Sequence, residues 1–567
     1  MILKALYDYY HRCGNLPPEG MELKEIGFLI VISPEGDFLR FEDGRTEKGH
    51  ARAYLVKKHV GRSSAAAANY LYDNSSYVLG YSEKNKAKDQ FYFDTFKNKV
   101  NEIACLFPDN QELMAVKRFY RKSMEEIHSL ITQDPLWEDI RKNLSKKFST
   151  FSFRIDGDRE IIAEKRSLLQ LEANEEQETG CLCLVTGERG IPVDTTTATM
   201  IIGSQATAKL VAFQTHSGYD SYGKTKCKNA PISQEAEFAY TTALNQLLGS
   251  GSHNKFILGS RTFVFWSSSA NEVSKEAEEG LFDLLGLQEE TNEDPNARIM
   301  EVRQVFEAIH TGTMKTGVND KFYILGLAPN SARIAVVYWS ETVLKDFAGH
   351  IIAHFKDMEI VDTRKEQKPY MGLRAILSAV TLGGKLADVT PNLPEATTTS
   401  IFEGLPYPTT LFSACIRRIR AEQKLTITRA AILKAYLNRL NNNQKKIDRM
   451  LDKDNTNPGY LCGRLFAVLV KIQEEANNIS SIRERYMNAA GVTPATVFST
   501  LLNLSNHHAE KLNEGRKVNF EKIKQEIFSK LPADGFPTHL DLQDQGRFFV
   551  GYYHQRQELF TSKKEQE

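Results

Sequence analysis

Apolar and polar positions along the chain predict three hairpins before residue 340. GFLIVIS, the turn PEGD and FLRFED read as paired strands near residues 27–43. FILGSRTFVFW, at 256–266, places Gly259 and Ser260 between two apolar arms. KFYILGLAPNSARIAVVYW, at 321–339, puts Pro329 and Asn330 at its tip. Between the hairpins the period becomes helical, over Glu235 to Leu248 and Arg298 to Ile309. The opening MILKALYDYYHRCG has helical spacing at Ile2, Leu3, Leu6 and Tyr10, so it reads as part of the fold and not as a secretory leader. Helices alternating with strand pairs predict an open α+β layer.

From about Pro391 the pattern changes. Pro391, Pro394, Pro406 and Pro408 lie close to Thr397, Thr398 and Thr399, which reads as a linker over 391–408. Beyond Thr409 every periodic segment is helical. Thr428 precedes RAAILKAYLNRL, Asn457-Pro458 precedes GYLCGRLFAVLVKIQEEA, and Thr493-Pro494 precedes ATVFSTLLNLSNHHAEKL. Gly515 suits the stop of the last of these, and amphipathic segments follow at Phe520–Leu531 and Leu540–Phe560. The expected fold class is α+β: an irregular mixed N-terminal domain with antiparallel hairpins over 1–390, with a subdomain break near 250, then an antiparallel all-α bundle over 409–567.

At 567 residues the chain exceeds the size of a single core, so two to four domains are expected. No apolar run approaches the roughly 20 residues that span a bilayer. Seven scattered cysteines fit a reducing, cytoplasmic setting. Charge adds more: 72 basic and 72 acidic residues cancel, yet Cys415 to Met450 carries ten Lys and Arg against Glu422 and Asp448. Cations concentrated in a neutral chain usually face a polyanion, from whose phosphates they release counterions. Glu272 to Asp294 is the negative counterpart, with nine acids against Lys275; it reads as a solvated helix and loop, or as a contact for a basic neighbour.

Signatures of catalysis are missing. Cys181 and Cys183 lack a second pair at zinc spacing and fit alternation on a buried strand. His507 and His508 point about 100° apart on a helix, and His350 with His354 reads as a helix-surface pair. There is no phosphate-cradling GxxxxGK[ST] loop, no GxSxG elbow and no D-x-D cluster. No metal, no cofactor and no enzymatic activity are expected. A metal-dependent nuclease with a dispersed site and a purely structural scaffold remain the competing readings.

Three groups carry residues suited to nucleic acid. The first follows Arg52: Lys57, Lys58, Arg62, Ser63, Ser64, Asn69 and Asn74, where small residues let a duplex approach; an ordinary surface loop is the alternative. The second is Ser204, Gln205, Lys209, Lys224, Lys226, Lys228 and Asn229 around Tyr219, Ser221 and Tyr222, suited to a single strand or RNA end; a polar loop packed on the sheet would look the same. The third is the basic stretch, with Arg417, Arg418, Arg420, Lys424 and Arg429. At 100° per residue Arg417, Arg420 and Lys424 fall on one helical face, able to track a backbone without reading bases.

MILKALYDYY, IGFLIVISPEGDF, GRSSAAAANYLYDNSSYVLG, CLVTGE, SYGKTKCKNAPISQEAEFAYTTALNQLL, FYILGLAPNSARIAVVYW, LLNLSNHHAEKL and GYYHQRQELF occur in that order. Together they resemble the large subunit of the type I-C CRISPR surveillance complex, Cascade, over nearly the whole length. The Ala-rich loop at Gly61–Ala68 departs from relatives with other small residues there. The resemblance implies a non-catalytic subunit of a crRNA-guided antiviral complex. It would recognise the protospacer-adjacent motif in duplex DNA, support duplex opening and R-loop stabilisation, and recruit the helicase-nuclease. Implied partners are the crRNA, the target duplex and its displaced strand, and the backbone, 5′-handle-binding and small subunits; no membrane is involved. Sequence reading would fall to RNA pairing and motif reading to protein, by analogy with single-protein effectors. The family often makes its small subunit by internal translation, and Met450, just ahead of Asn457-Pro458, is a candidate start.

Overall fold

The computed structural model describes residues 2–560 except 47–49, 61–65, 83–85, 145–148, 170–179, 214–219, 221, 250, 285–294, 318, 364–370, 441–444 and 480. Packing divides the chain into two units. One comprises Met1–Arg12, Thr196–Phe213 and Ala243–Glu567, the other Cys13–Thr195 and Gln214–Thr242. Residues beyond 243 join the C-terminal helices because one hydrophobic core runs from Phe256 on the sheet to Tyr552 in the last helix.

After helix α1 (Ile2–Arg12) come strands β1 (Met21–Glu25), β2 (Phe28–Ile32), β3 (Phe38–Asp43), β4 (Ala53–Lys57) and β5 (Tyr72–Asn74). Helices α2 (Ser75–Val78), α3 (Lys86–Leu106), α4 (Gln111–Phe119), α5 (Met124–Ile131) and α6 (Trp137–Asn143) follow, then strand β6 (Thr150–Ile155). The hairpin predicted near 27–43 is β2–β3, and β6 joins it parallel to β2, giving the order β3-β2-β6-β5. As an inner strand, β2 (FLIVI) is buried at every position. A separate antiparallel pair, β1–β4, sets Glu22 opposite Val56 and Lys24 opposite Tyr54. Helix α7 (Arg166–Leu169), the short pair β7 (Cys181–Leu182) and β8 (Arg189–Gly190), and α8 (Gln234–Leu247) complete this region, the division falling after Thr242 of α8.

The larger unit contains β9 (Lys255–Leu258), β10 (Arg261–Ser267), α9 (Glu272–Leu284), α10 (Pro295–Thr311), β11 (Lys321–Asn330), β12 (Arg333–Val343) and α11 (Leu344–Met358). The other two predicted hairpins are neighbours in one antiparallel sheet, β12-β11-β10-β9. Gly259, at φ +61, turns the first of them. The second turns at Ser331 and Ala332, one step later than expected, since Pro329 and Asn330 still pair with Ile334 and Arg333. Helices α12 (Leu373–Ala379), α13 (Leu393–Phe402), α14 (Thr409–Glu422), α15 (Ile427–Arg439), α16 (Pro458–Asn477), α17 (Ser481–Ala490), α18 (Pro494–Ala509), α19 (Glu514–Phe528) and α20 (Leu542–Phe560) follow. Among the described residues no strand occurs after Thr409. The fold class is thus mixed α+β, with small antiparallel pairings ahead of a helical C-terminal region.

Local chemistry explains where helices begin. Asn457 caps α16 by accepting the Tyr460 N–H, with Pro458 at the first position, where no intrahelical hydrogen bond is lost. Thr426, not Thr428, caps α15, because its hydroxyl accepts the Arg429 N–H. Gly515 does not stop α18; it lies in the first turn of α19, capped by Asn513. The stretch 391–408, read as a linker, holds α13, whose Leu393, Ile401 and Phe402 are in the core. His354 is not on a helix surface: it is fully buried and its Nδ1 lies 2.6 Å from the Tyr407 hydroxyl. Its neighbour His350 meets the Phe402 carbonyl oxygen at 2.8 Å.

Candidate nucleic-acid interface

Strands β1, β5 and β6 and the segment after β4 build a cleft of about 350 Å³ in the smaller unit, lined by Lys24, His59, Val60, Asn69, Tyr72, Asp73, Asn74 and Thr150. Its floor is fixed by short links. Asn69 Oδ1 accepts the Val60 N–H at 2.9 Å, closing the base of the loop between these strands. Asp73 is buried and accepts the N–H groups of Asn69 and Asn74. Asn74, just ahead of α2, also accepts the hydroxyl of Ser76 in its first turn through Oδ1. Two predicted contact residues, Asn69 and Asn74, therefore line one cleft and hold its shape. Among the described residues the structure gives their Nδ2 groups no partner.

Next to Val60, His59 Nδ1 lies 2.7 Å from Glu22. The Tyr72 hydroxyl lies 2.8 Å from Glu22 and 2.9 Å from the Lys57 carbonyl oxygen, and its one proton serves either. Burial pushes the Glu22 carboxyl up, but His59 and Tyr72 outweigh it and hold the group below its ordinary value. Lys57 sits over the Tyr70 ring at 4.7 Å, and burial lowers its pKa, with Lys99 adding to the effect. Lys58 lies 3.8 Å from Glu237 and over the Phe238 ring, so part of its charge is spent inside the unit. Arg62, Ser63 and Ser64 lie outside the described residues. Glu22, Lys24, His59 and Tyr72 escaped the sequence reading. Glu22 and Lys24 do share a period-2 face, but nothing local names their partner strand.

The polar group is divided between the units, with Ser204, Gln205 and Lys209 in one and Lys224 to Asn229 in the other. Ser204 closes a local turn with Ile201, and its hydroxyl oxygen accepts the Ile201 N–H at 3.1 Å. Gln205 is exposed, while Lys209 bridges to Arg333 beside β12. Lys226 pairs with Asp194 at 3.0 Å, Asn229 Nδ2 donates to the Lys224 carbonyl at 2.8 Å, and Lys224 and Lys228 are exposed. Tyr219 and Ser221 are outside the described residues, but Tyr222 is 99% exposed.

The basic stretch is two helices, not one face. Gln423 takes a left-handed φ of +49 and ends α14, so Lys424 lies beyond it and the helical-wheel placement with Arg417 and Arg420 does not hold. Several cations are used internally. Arg429 is buried against Glu422, with further bonds to the Ala379 and Lys424 carbonyls. Arg418 is 3.6 Å from Glu422, and Arg420 donates to Gln545 at 2.6 Å. Lys434 is buried near the Lys356 carbonyl, with its pKa lowered by that burial. Arg439 pairs with Asp357, Lys445 with Asp452, and Arg449 with Glu359. Arg417, Lys424 and Lys446 remain exposed.

Two of the buried cysteines, Cys183 and Cys227, accept backbone amides. Cys183 lies past β7 in a turn, not on a strand as expected. Burial pushes its thiol up, but donors from Ser233, Thr186 and Val185 prevail and bring it down to about 7. Cys227 accepts the Ile232 N–H at 3.3 Å. Among the described residues no three His, Cys, Asp or Glu side chains form a metal-binding group, and no helix is long and apolar enough to cross a membrane.

No match is found among curated proteins. The family model described as CRISPR-associated protein Csd1 matches residues 6–560, nearly the whole chain. The chain belongs to the Csd1 family, the large subunit of the type I-C CRISPR complex.

Proposed function

We propose that this Csd1-family subunit recognises the protospacer-adjacent motif in duplex DNA through the cleft between β1, β5 and β6. By the same reading it supports duplex opening and R-loop stabilisation, recruits the helicase-nuclease, and cleaves nothing itself. Membership of the family over residues 6–560 carries the reading. The cleft supports its location, since amide and imidazole groups at Asn69, Asn74 and His59 are the kinds that hydrogen-bond base edges. Lys57 and Lys58 flank it as half-exposed cations suited to phosphate positioning. Exposed Arg417, Lys424 and Lys446 suit a sequence-blind hold on displaced DNA.

Partners required by this reading are the crRNA, the duplex and its displaced strand, and the backbone, 5′-handle-binding and small subunits. Met450 is exposed eight residues ahead of α16, and a product beginning there would carry α16 to α20. Mass spectrometry of complex made from the intact gene would detect a fragment starting near Met450; without one the internal start is rejected.

The test of motif reading is binding to duplexes with a randomised flanking trinucleotide. Lys24→Ala and His59→Ala are expected to cost about 1–3 kcal/mol on the preferred motif and to flatten the preference. Arg417→Glu with Lys424→Glu should weaken all duplexes alike. Unchanged affinity in every variant would overturn the reading, and metal-dependent cleavage by the purified chain would replace it with a nuclease.

A further inference from the structure

We propose that Tyr222 is a stacking residue for an unpaired base of single-stranded nucleic acid, a role that rests on the nucleic-acid reading above. Large side chains rarely stand fully in water, yet Tyr222 is 99% exposed. Its φ of +53 lies in the left-handed region, which is costly for a residue with a bulky side chain, and a sequence under selection for stability alone would favour glycine there. Gly223 at +73 and Lys226 at +50 continue the unusual path.

The loop behind the ring is held firmly. Asn229 Nδ2 ties back to the Lys224 carbonyl, Lys226 pairs with Asp194, and the Lys228 N–H reaches the Thr225 carbonyl at 3.1 Å. Cys227 is buried beneath it and accepts the Ile232 N–H, while Cys183 accepts the next amide, Ser233, at 3.3 Å. An aromatic ring presented on a fixed loop loses little freedom on stacking. Exposed Lys224 and Lys228 supply the charge that a sugar-phosphate backbone requires. An exposed aromatic ring with neighbouring lysines is the combination that holds a single strand, the ring stacking on a base and the lysines meeting its phosphates.

The test uses the full-length chain and single-stranded oligomers carrying 2-aminopurine, one deoxyribose and one ribose, read by fluorescence quenching on binding. Quenching is expected with at least one, and the stronger identifies the strand type. Tyr222→Phe should keep quenching and affinity, whereas Tyr222→Ala should lose the quenching and weaken affinity roughly 5- to 150-fold. Tyr222→Gly should bind as poorly while raising the melting temperature, because glycine tolerates the left-handed backbone. Equal quenching and affinity in wild type and Tyr222→Ala would overturn the proposal, as would failure of the wild type to bind either oligomer. Duplex binding measured in parallel tests motif recognition separately: its loss overturns that reading, while the stacking role is decided by the single-strand data.

Discussion

The Arg464 guanidinium forks onto the Glu526 carboxylate, with Nη1 to Oε1 at 3.1 Å and Nη2 to Oε2 at 2.7 Å. Nε donates to Gln555 at 3.0 Å, so one fully buried side chain joins α16 to α19 and α20. Burial raises the Glu526 carboxyl, but Arg464 and Lys530 outweigh it and hold the group below its ordinary range. A charge this deep is stable only while its partners stay in place.

Arg464→Ala is therefore expected to destabilise the helical region by about 2–5 kcal/mol, since it empties a fully buried site and leaves buried Gln555 without its donor. Arg464→Met, which fills the space without a charge, should cost less. Amide hydrogen exchange of α16 and α20 checks this directly. Equal protection in wild type and Arg464→Ala would refute the role given to the fork.

Helices α16 and α20 meet backbone to backbone. A β-carbon on Gly551 would collide with the Tyr460 carbonyl oxygen, and one on Gly463 with that of Phe548. Gly551→Ala should force the helices apart and cost roughly 1–3 kcal/mol or more, read as a lower denaturant midpoint. A midpoint at or above that of wild type would show that the helices can separate without penalty.

Acid should weaken the fold early. His354 and His554 are buried against the Tyr407 and Tyr460 hydroxyls, and burial brings both down to about 3. The charges facing them are Arg439 for His354, and Lys434 and Asp452 for His554. The unfolded chain binds a proton at each near pH 6.5 and the folded chain does not. Stability is therefore lost progressively as pH falls from about 6.5 toward 3, with a slope of roughly 1.4 kcal/mol per pH unit per site. His354→Gln should remove one site's share of that slope in denaturant titrations between pH 4 and 6.

The basic stretch should separate by substitution. Arg429→Ala, which breaks the bonds to Glu422 and Ala379, is expected to lower thermal stability. Arg417→Glu and Lys446→Glu should leave it unchanged and make DNA binding less sensitive to salt. The log–log slope should fall by about 0.9 for each phosphate that is no longer neutralised. Reversal of this pattern would remove the stretch from the interface.

Strand pairs and helix starts were legible because each is decided within a few residues. Apolar runs on either side of the PEGD turn mark β2 and β3, and Asn457 caps α16 through its own side chain, with Pro458 at the first position. The cleft was only half legible. Asn69 and Asn74 fall in one short segment, but Lys24 and Thr150 arrive from distant strands, and β6 reaches β2 by a long parallel crossover. Charge counts in the basic stretch could not separate Arg429, consumed by Glu422, from exposed Arg417.

The sequence by itself determined the fold class, the hairpins, the helical C-terminal region and the family resemblance, all of which rest on local periodicity and motif order. Tertiary structure decided which cations face solvent, where the chain divides, and which polar residues share a cleft. Those outcomes depend on pairings between residues tens to hundreds of positions apart. Burial then fixes each one, because a charge or amide removed from water must find its partner inside.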